Sequence, residues 1–344
     1  MKVKPVLDAL ERGGGTTVLV HTGQHYDAAM SDVFFDELGL RPPDHHLGAG
    51  SGSHAEQTAA VMLAFEPLLE RLDADVVVVV GDVNSTVACA LVAAKARVPV
   101  AHVEAGLRSR DWSMPEEVNR VVTDRLSTYL FAPSADAVEN LRGEGEPEHE
   151  IHLVGNVMVD TLLANVERAM ARPVLGRLGV TARQYGLVTL HRPATVDDRR
   201  LLLGVLDALA ELAAEIPLVF PAHPRTMRQL DGLDLPAGLY VVPPFGYLDF
   251  IALEASARLV LTDSGGVQEE TTVLGVPCLT LRDNTERPIT IDEGTNRLVG
   301  RDPAVILRAA QGVLAGGVTP RRPELWDGQA ATRIAGVLAA AHRP

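Results

Sequence analysis

One pattern constrains this chain more than any other: a short β-branched run, then a polar knot, then a helical stretch, repeated from end to end. The runs are TTVLVHT (16–22), DVVVVVG (75–81), PVAHVEA (99–105), YLFAP (129–133), IHLVG (151–155), GLVTLHR (186–192), PLVFPAH (217–223), LYVVPP (239–244), ARLVLTD (257–263), PCLTLRD (277–283) and NRLVG (296–300). They are continuously apolar rather than alternating, as parallel strands covered on both faces must be. Between them lie helical stretches such as HAEQTAAVMLAFEPLLERL and DDRRLLLGVLDALAELAAE. This alternation predicts a doubly wound α/β fold.

A chain of 344 residues suits about two domains. After IHLVGN, the segment VMVDTLLANVERAMARPVLGRLGVTARQ reads as one helix and a Pro/Gly-marked connection, and a fresh strand begins at Gly186. The expected domains are 1–170 and 171–330, with a last helix over 331–344 packing on the first. The chain opens on a helical segment, Val3 to Glu11, where a doubly wound half usually opens on a central strand. The expectation is that this strand is missing, that Met1 lies downstream of the true start, and that a slot is left between the strands near Thr16 and Asp75.

The formal net charge of -14 argues against a nucleic-acid or membrane-surface binder, which needs a basic face. A locally basic pocket for a small anion remains compatible with it. Cys89 and Cys278 both sit in apolar runs and read as small buried hydrophobes of a reducing compartment. No secretory or membrane-spanning segment is apparent, so a cytoplasmic protein is expected.

The chemistry-bearing residues gather where strands end. Asp82, Glu104, His191 and His223 each close a strand, and Asp263 and Ser264 close another. Ligands of open α/β sheets bind beyond the carboxyl ends of strands, although any one of these residues also reads as a helix N-cap. In TDSGGVQEETTVLG, Ser264, Gly265 and Gly266 lead into a helix, so backbone N–H groups and the helix N-terminus favour a phosphate or diphosphate. Glu270, a turn into that helix, can accept from ribose hydroxyls, or it simply compensates the helix dipole along with Glu269. HVEAGLRSRDWSMPEEVNR holds Glu104, Arg108, Glu116, Glu117 and Arg120, and with Asp82 this forms a carboxylate cluster suited to proton chemistry in both directions. One of Glu116 and Glu117 could equally be a first-turn acid.

Other chemistries are excluded. No GxGxxG follows a strand and no Gly-Lys-Ser/Thr follows the glycines, so neither a nicotinamide cofactor nor a Walker loop is expected. Asp73 and Asp75 precede their strand, at the wrong edge of the sheet for a metal. His21, His25 and Asp27 read as polar lining, and no metal is expected there either.

GDVNST, HVEAGLRS, MPEEVNR, HLVGNVMVDTL, VTLHRPATVDD, HPRT, PFGYLDFIAL, LTDSGGVQEETTVLGVPCLTLRDNTERP and GTNRLVG together resemble the non-hydrolysing UDP-N-acetylglucosamine 2-epimerases over nearly the whole chain. The resemblance implies two Rossmann-like halves of GT-B type with the nucleotide sugar in a deep cleft between them. It implies reversible C2 epimerisation of UDP-GlcNAc to UDP-ManNAc, by elimination of UDP to 2-acetamidoglucal and re-addition, without a cofactor. Asp82, Glu104 and Glu116 match the essential carboxylates, and His191 a histidine acting on the departing diphosphate. Ser264, Gly265 and Gly266 match the phosphate cradle, Glu270 the ribose ligand and Arg297 a diphosphate contact. Lys2 falls on a binding lysine, and Phe245 and Phe250 line the uracil pocket or else pack in the core. A homodimer is implied as well.

Two departures accompany the match. An opening strand and Gly-Thr-Arg-Pro-Glu turn of the family have no counterpart here. Gln24 and His25 fit a second, allosteric UDP-GlcNAc site of bacterial members, but Asp27 and Ala60 stand where those carry Gln and Arg. The alternatives are a 2-epimerase of a related sugar such as UDP-2,3-diacetamido-glucuronic acid, whose carboxylate would need Arg108, Arg110 or Arg192, a hydrolysing epimerase that releases free ManNAc, or an inactive UDP-sugar-binding homologue.

Overall fold

The computed structural model describes residues 1–23, 37–316 and 319–341, so Gln24, His25 and Asp27 lie outside the described residues. The chain divides into two compact units, Met1–Thr161 with Glu324–Pro344, and Leu162–Pro323. Both boundaries differ from the sequence expectation. The first falls inside the continuous helix Val157–Met170, not at its end. The second comes earlier than residue 330 because the segment before the last helix is anchored in the first unit. There the buried Trp326 indole N–H donates to the Pro133 carbonyl at 2.9 Å, and Gly155 packs so tightly on Leu325 that a Cβ would lie 2.2 Å from its carbonyl oxygen.

The first unit holds a parallel sheet in the order β3 (Val77–Val80), β4 (Val100–Val103), β5 (Tyr129–Ala132), β6 (Ile151–Leu153). A separate two-stranded parallel ladder joins β1 (Val20–His21) to β2 (His45–His46). β1 is shorter than the expected 16–22, since only these two residues find a ladder partner, and β2 was not foreseen because its histidines are polar and exposed. Among the described residues β3 pairs with β4 alone. Apolar residues of both sheet faces are covered: the helix Val3–Arg12 and the C-terminal helix Ala330–Ala341 share one core cluster, and the helices His54–Leu72 and Asn84–Lys95 share another.

The second unit is one six-stranded, all-parallel sheet in the order β12-β11-β10-β7-β8-β9. Its strands are β7 (Gly186–Thr189), β8 (Leu218–Pro221), β9 (Leu239–Val242), β10 (Leu259–Thr262), β11 (Cys278–Thr280) and β12 (Asn296–Leu298). The chain runs outward from β7 to β9, then returns to the other side of β7 with β10, which makes the gap between β7 and β10 the topological switch point where α/β sheets bind ligands. His191 follows β7 and Ser264 follows β10, so sequence places both at that point. No helix among the described residues is long and apolar enough to cross a membrane.

Candidate active site

In the first unit the candidate carboxylates sit on adjacent strand ends. Glu104 is buried and in left-handed backbone (φ 75), a conformation a glutamate adopts only where its surroundings impose it. One of its oxygens accepts from Lys2 Nζ at 2.6 Å, while Oε1 is buried and has no hydrogen-bond partner among the described residues. A buried carboxylate with one oxygen neutralised by an ammonium and the other without a partner is of the kind that takes and returns a proton.

Asp82 follows β3. Its carboxylate is held by the Arg120 guanidinium at 2.9 Å, and its carbonyl accepts from Asn119 Nδ2 at 2.9 Å. Arg120 and Asn119 come from the helix Pro115–Leu126, which also opens with the two glutamates. These now separate. Glu117 is 1% exposed and accepts from the Ser109 and Arg110 backbone N–H groups, the Ser109 hydroxyl and Arg120. Its carboxylate is committed to holding the 107–111 loop. Glu116 is half-buried and makes no hydrogen bond among the described residues, so of the two its carboxylate is the one not committed to the loop.

In the second unit Asp263, fully buried, accepts from the backbone N–H of His191 and Arg192 and pairs with His191 Nδ1 at 3.0 Å. That contact occupies Nδ1 of the half-exposed ring and leaves Nε2 without a hydrogen bond among the described residues, an arrangement in which a carboxylate orients a histidine. His223 proves to be a cap: its Nδ1 accepts from the Arg225 N–H.

Ser264 is the N-cap of the helix Gly265–Leu274. Gly265 is closely packed, for a reason the sequence did not disclose. A Cβ there would lie 2.5 Å from Arg287 Nη1 and 2.6 Å from Glu286 Oε1. Those side chains belong to a buried network in which Glu286 meets Arg282, Arg287 and Arg192, and Arg287 reaches Glu269 at 2.7 Å. Glu286 is held far below the ordinary carboxylate range because its arginines outweigh its burial. Around the start of this helix three arginines stand against three buried acids, Glu269, Glu286 and the Asp263 that precedes Ser264, so the charges are matched and the helix N-terminus itself supplies the positive end.

Glu270 is buried one turn further on, and Tyr247 donates to its Oε1 at 3.0 Å. Burial pushes its pKa up to about 7. Glu254, fully buried nearby with neither oxygen partnered among the described residues, is pushed well up by the same burial and by Glu270. Phe245 and Phe250 are both half-buried. Arg297 is exposed on β12 and makes no hydrogen bond among the described residues.

Comparison with known proteins decides the affiliation. The family model described as UDP-N-acetylglucosamine 2-epimerase matches residues 8–339. The chain belongs to the UDP-N-acetylglucosamine 2-epimerase family. The UDP-N-acetylglucosamine 2-epimerase of Methanocaldococcus jannaschii is 44% identical over 90% of this chain and 88% of its own. A crystal structure of a Methanocaldococcus jannaschii UDP-GlcNAc 2-epimerase with UDP-GlcNAc and UDP superposes with a TM-score of 0.91 at 41% identity, covering 98% of this chain and 96% of that one. A Pseudomonas aeruginosa UDP-2,3-diacetamido-2,3-dideoxy-D-glucuronate 2-epimerase is 40% identical over 94% of this chain and 91% of its own. The calicheamicin glycosyltransferase CalG4 shares the fold alone, with a TM-score of 0.52 at 14% identity over 98% of this chain and 92% of its own, and makes the fold GT-B-like. As a member of an epimerase family the protein is an isomerase.

For a 2-epimerase, sequence reasoning singled out Arg120 and Asp263 without their roles and passed over Tyr247: Arg120 holds Asp82, Asp263 holds His191, and Tyr247 holds Glu270. Each lies within a motif already singled out, but only the fold shows which side chain each one touches. Arg108, a candidate for a sugar carboxylate, is instead buried between Asp124 (2.7 Å) and Glu144 (2.6 Å). Arg110 donates to Asn140 at 2.7 Å.

Proposed function

We propose that this protein interconverts UDP-GlcNAc and UDP-ManNAc without hydrolysis. The second unit holds UDP: the start of the helix Gly265–Leu274 with its surrounding arginines takes the diphosphate, Glu270 the ribose, Phe245 and Phe250 the uracil, and Arg297 adds a cation. In the first unit Asp82, Glu104 and Glu116 handle the protons. A carboxylate removes the C2 proton, the C1–O bond to the diphosphate breaks, and the C1=C2 bond of 2-acetamidoglucal forms. His191, oriented by Asp263, stabilises the departing diphosphate. Re-addition of UDP to C1 with protonation of C2 on the opposite face completes the inversion. The observation that carries this reading is Glu104, buried against Lys2 with its other oxygen unpartnered among the described residues, beside Asp82 on the neighbouring strand end.

Of the cations a glucuronate-type sugar would need, Arg108 is neutralised within buried ion pairs and Arg192 faces Glu286, which leaves Arg110, whose partner Asn140 is uncharged. Incubation with UDP-GlcNAc, followed by anomeric proton NMR, separates the readings. A UDP-ManNAc signal supports this one. Unchanged UDP-GlcNAc, with turnover of the diacetamido-glucuronate analogue, supports the other, and free ManNAc with UDP marks a hydrolase.

The protein is further proposed to be cytoplasmic, on its two buried free thiols, and homodimeric. The second rests on exposed apolar side chains of two helices that both pack on Asn84–Lys95, Leu63 at 75%, Val118 at 41% and Val122 at 38%. Light scattering giving twice the mass of 36.8 kDa supports the dimer, and a monomer mass at micromolar concentration contradicts it.

A further inference from the structure

We propose that the buried His102–Asp124 pair is a single clamp that positions both candidate carboxylates of the first unit, fixing the turn that carries Asp82 and the turn that carries Glu104. The inference rests on the functional reading above for the roles of those two carboxylates. His102 lies on β4, opposite Val79 of β3, and is fully buried. Its Nε2 meets the Gly81 carbonyl at 2.9 Å, and its Nδ1 meets Asp124 Oδ1 at 2.6 Å. The other Asp124 oxygen accepts from the Gly106 N–H at 3.1 Å and from Arg108 at 2.7 Å. Gly81 is the residue before Asp82, and Gly106 stands two residues beyond Glu104. The pair therefore reaches both strand ends at once.

The protonation of the ring follows from its partners. A carbonyl oxygen only accepts, so Nε2 carries a hydrogen. A carboxylate that already receives an arginine and an amide is ionised and also only accepts, so Nδ1 carries one too. The ring is an imidazolium. The charged groups around it are Asp124 from the helix Pro115–Leu126, Glu104 from its own strand end, and Arg108 across Asp124. Burial works against its charge, yet Asp124 outweighs burial and raises the ring's pKa.

Backbone geometry shows what the clamp restrains. Gly81 (φ 77), Glu104 (φ 75) and Gly106 (φ 81) are all left-handed. Such conformations persist at a non-glycine residue only where several contacts over-determine them. The clamp supplies these contacts at either end of the Glu104 turn and behind Asp82. His102 has no exposed surface with which to touch a sugar, so it acts through the other two and is a positioning residue.

Two measurements on the full chain test the clamp. In ¹⁵N-histidine NMR, both His102 nitrogens are expected to stay protonated at pH 7, and a neutral ring there overturns the proposal. His102→Gln keeps a donor for Gly81 but removes the charge. Assayed well below its unfolding temperature, it is expected to lose roughly 10²-fold in kcat, the scale of a misplaced reacting group. Its KM and UDP dissociation constant stay near parental, and its Asp82 and Glu104 amide resonances shift. Parental kcat, or unmoved resonances, overturn the proposal. If the parent chain itself converts no UDP-GlcNAc, the functional reading fails, and the clamp is judged on ring protonation and on those resonances.

Discussion

Glu104 and Asp82 are held quite differently although they close neighbouring strands, and the difference sets their chemistry. Glu104 is closed off from water with a lysine on one oxygen, whereas Asp82 is partly open and pinned by a guanidinium. Both Glu104→Gln and Asp82→Asn are expected to lower turnover by at least ~10²-fold, the low end for general acid–base groups. UDP binding, assigned to the other unit, stays intact. Near-parental turnover in either variant contradicts the assignment. Glu270 lends itself to a pH test. Its pKa in the folded protein is raised to about 7, so the stability this group contributes is present below the unfolded carboxylate range and lost as pH rises to about 7. Accepting two ribose hydroxyls needs the ionised form, so ligand affinity must move the opposite way, increasing as pH rises through the same range. Uridine is expected to bind about tenfold more tightly at pH 8 than at pH 6, which calorimetry reads directly. Affinity that does not change across that interval removes Glu270 from the ribose.

At the scale of elements, two helices carry most of the site. Pro115–Leu126 presents Glu116, Arg120 and Asp124 at intervals of four, hence along one face, and its Pro at the first turn with two acids after it reads as a helix start from sequence alone. The division of labour between Glu116 and Glu117 was not legible, because it depends on which of two adjacent carboxylates the 107–111 loop wraps. The helix Gly265–Leu274 was equally visible as an anion cradle, yet the packing demand on Gly265 was not. Arg287 and Glu286 come from eighteen or more residues away, and periodicity carries no information on such contacts. Gly265→Ala is expected to cost about 1–3 kcal/mol through overpacking, with weaker UDP binding as the Arg287–Glu286 network shifts. Thermal unfolding with a UDP titration checks it, and a variant equal to the parent on both counts would show that the network yields freely.

For the molecule as a whole, the alternation of apolar runs and amphipathic helices was enough to read two parallel α/β sheets, since burial on both faces leaves its mark in each strand. Strand order was not readable in that way, and neither were the histidine ladder β1–β2 nor the return of residues 324–341 to the first unit. These depend on tertiary pairing and on anchors such as Trp326, not on local pattern. The site was legible to the extent that its residues stand at strand ends and helix starts. Which residues orient them became visible only with the fold. What unites both levels is the claim that a carboxylate set removes and returns the proton on C2 while UDP departs and re-adds. That claim is tested most directly by incubating the protein with UDP-GlcNAc in D₂O and following C2 by proton NMR. The account predicts that UDP-ManNAc appears and that deuterium replaces hydrogen at C2 in the product. UDP-GlcNAc that keeps its C2 proton, with no second anomeric signal, would contradict it.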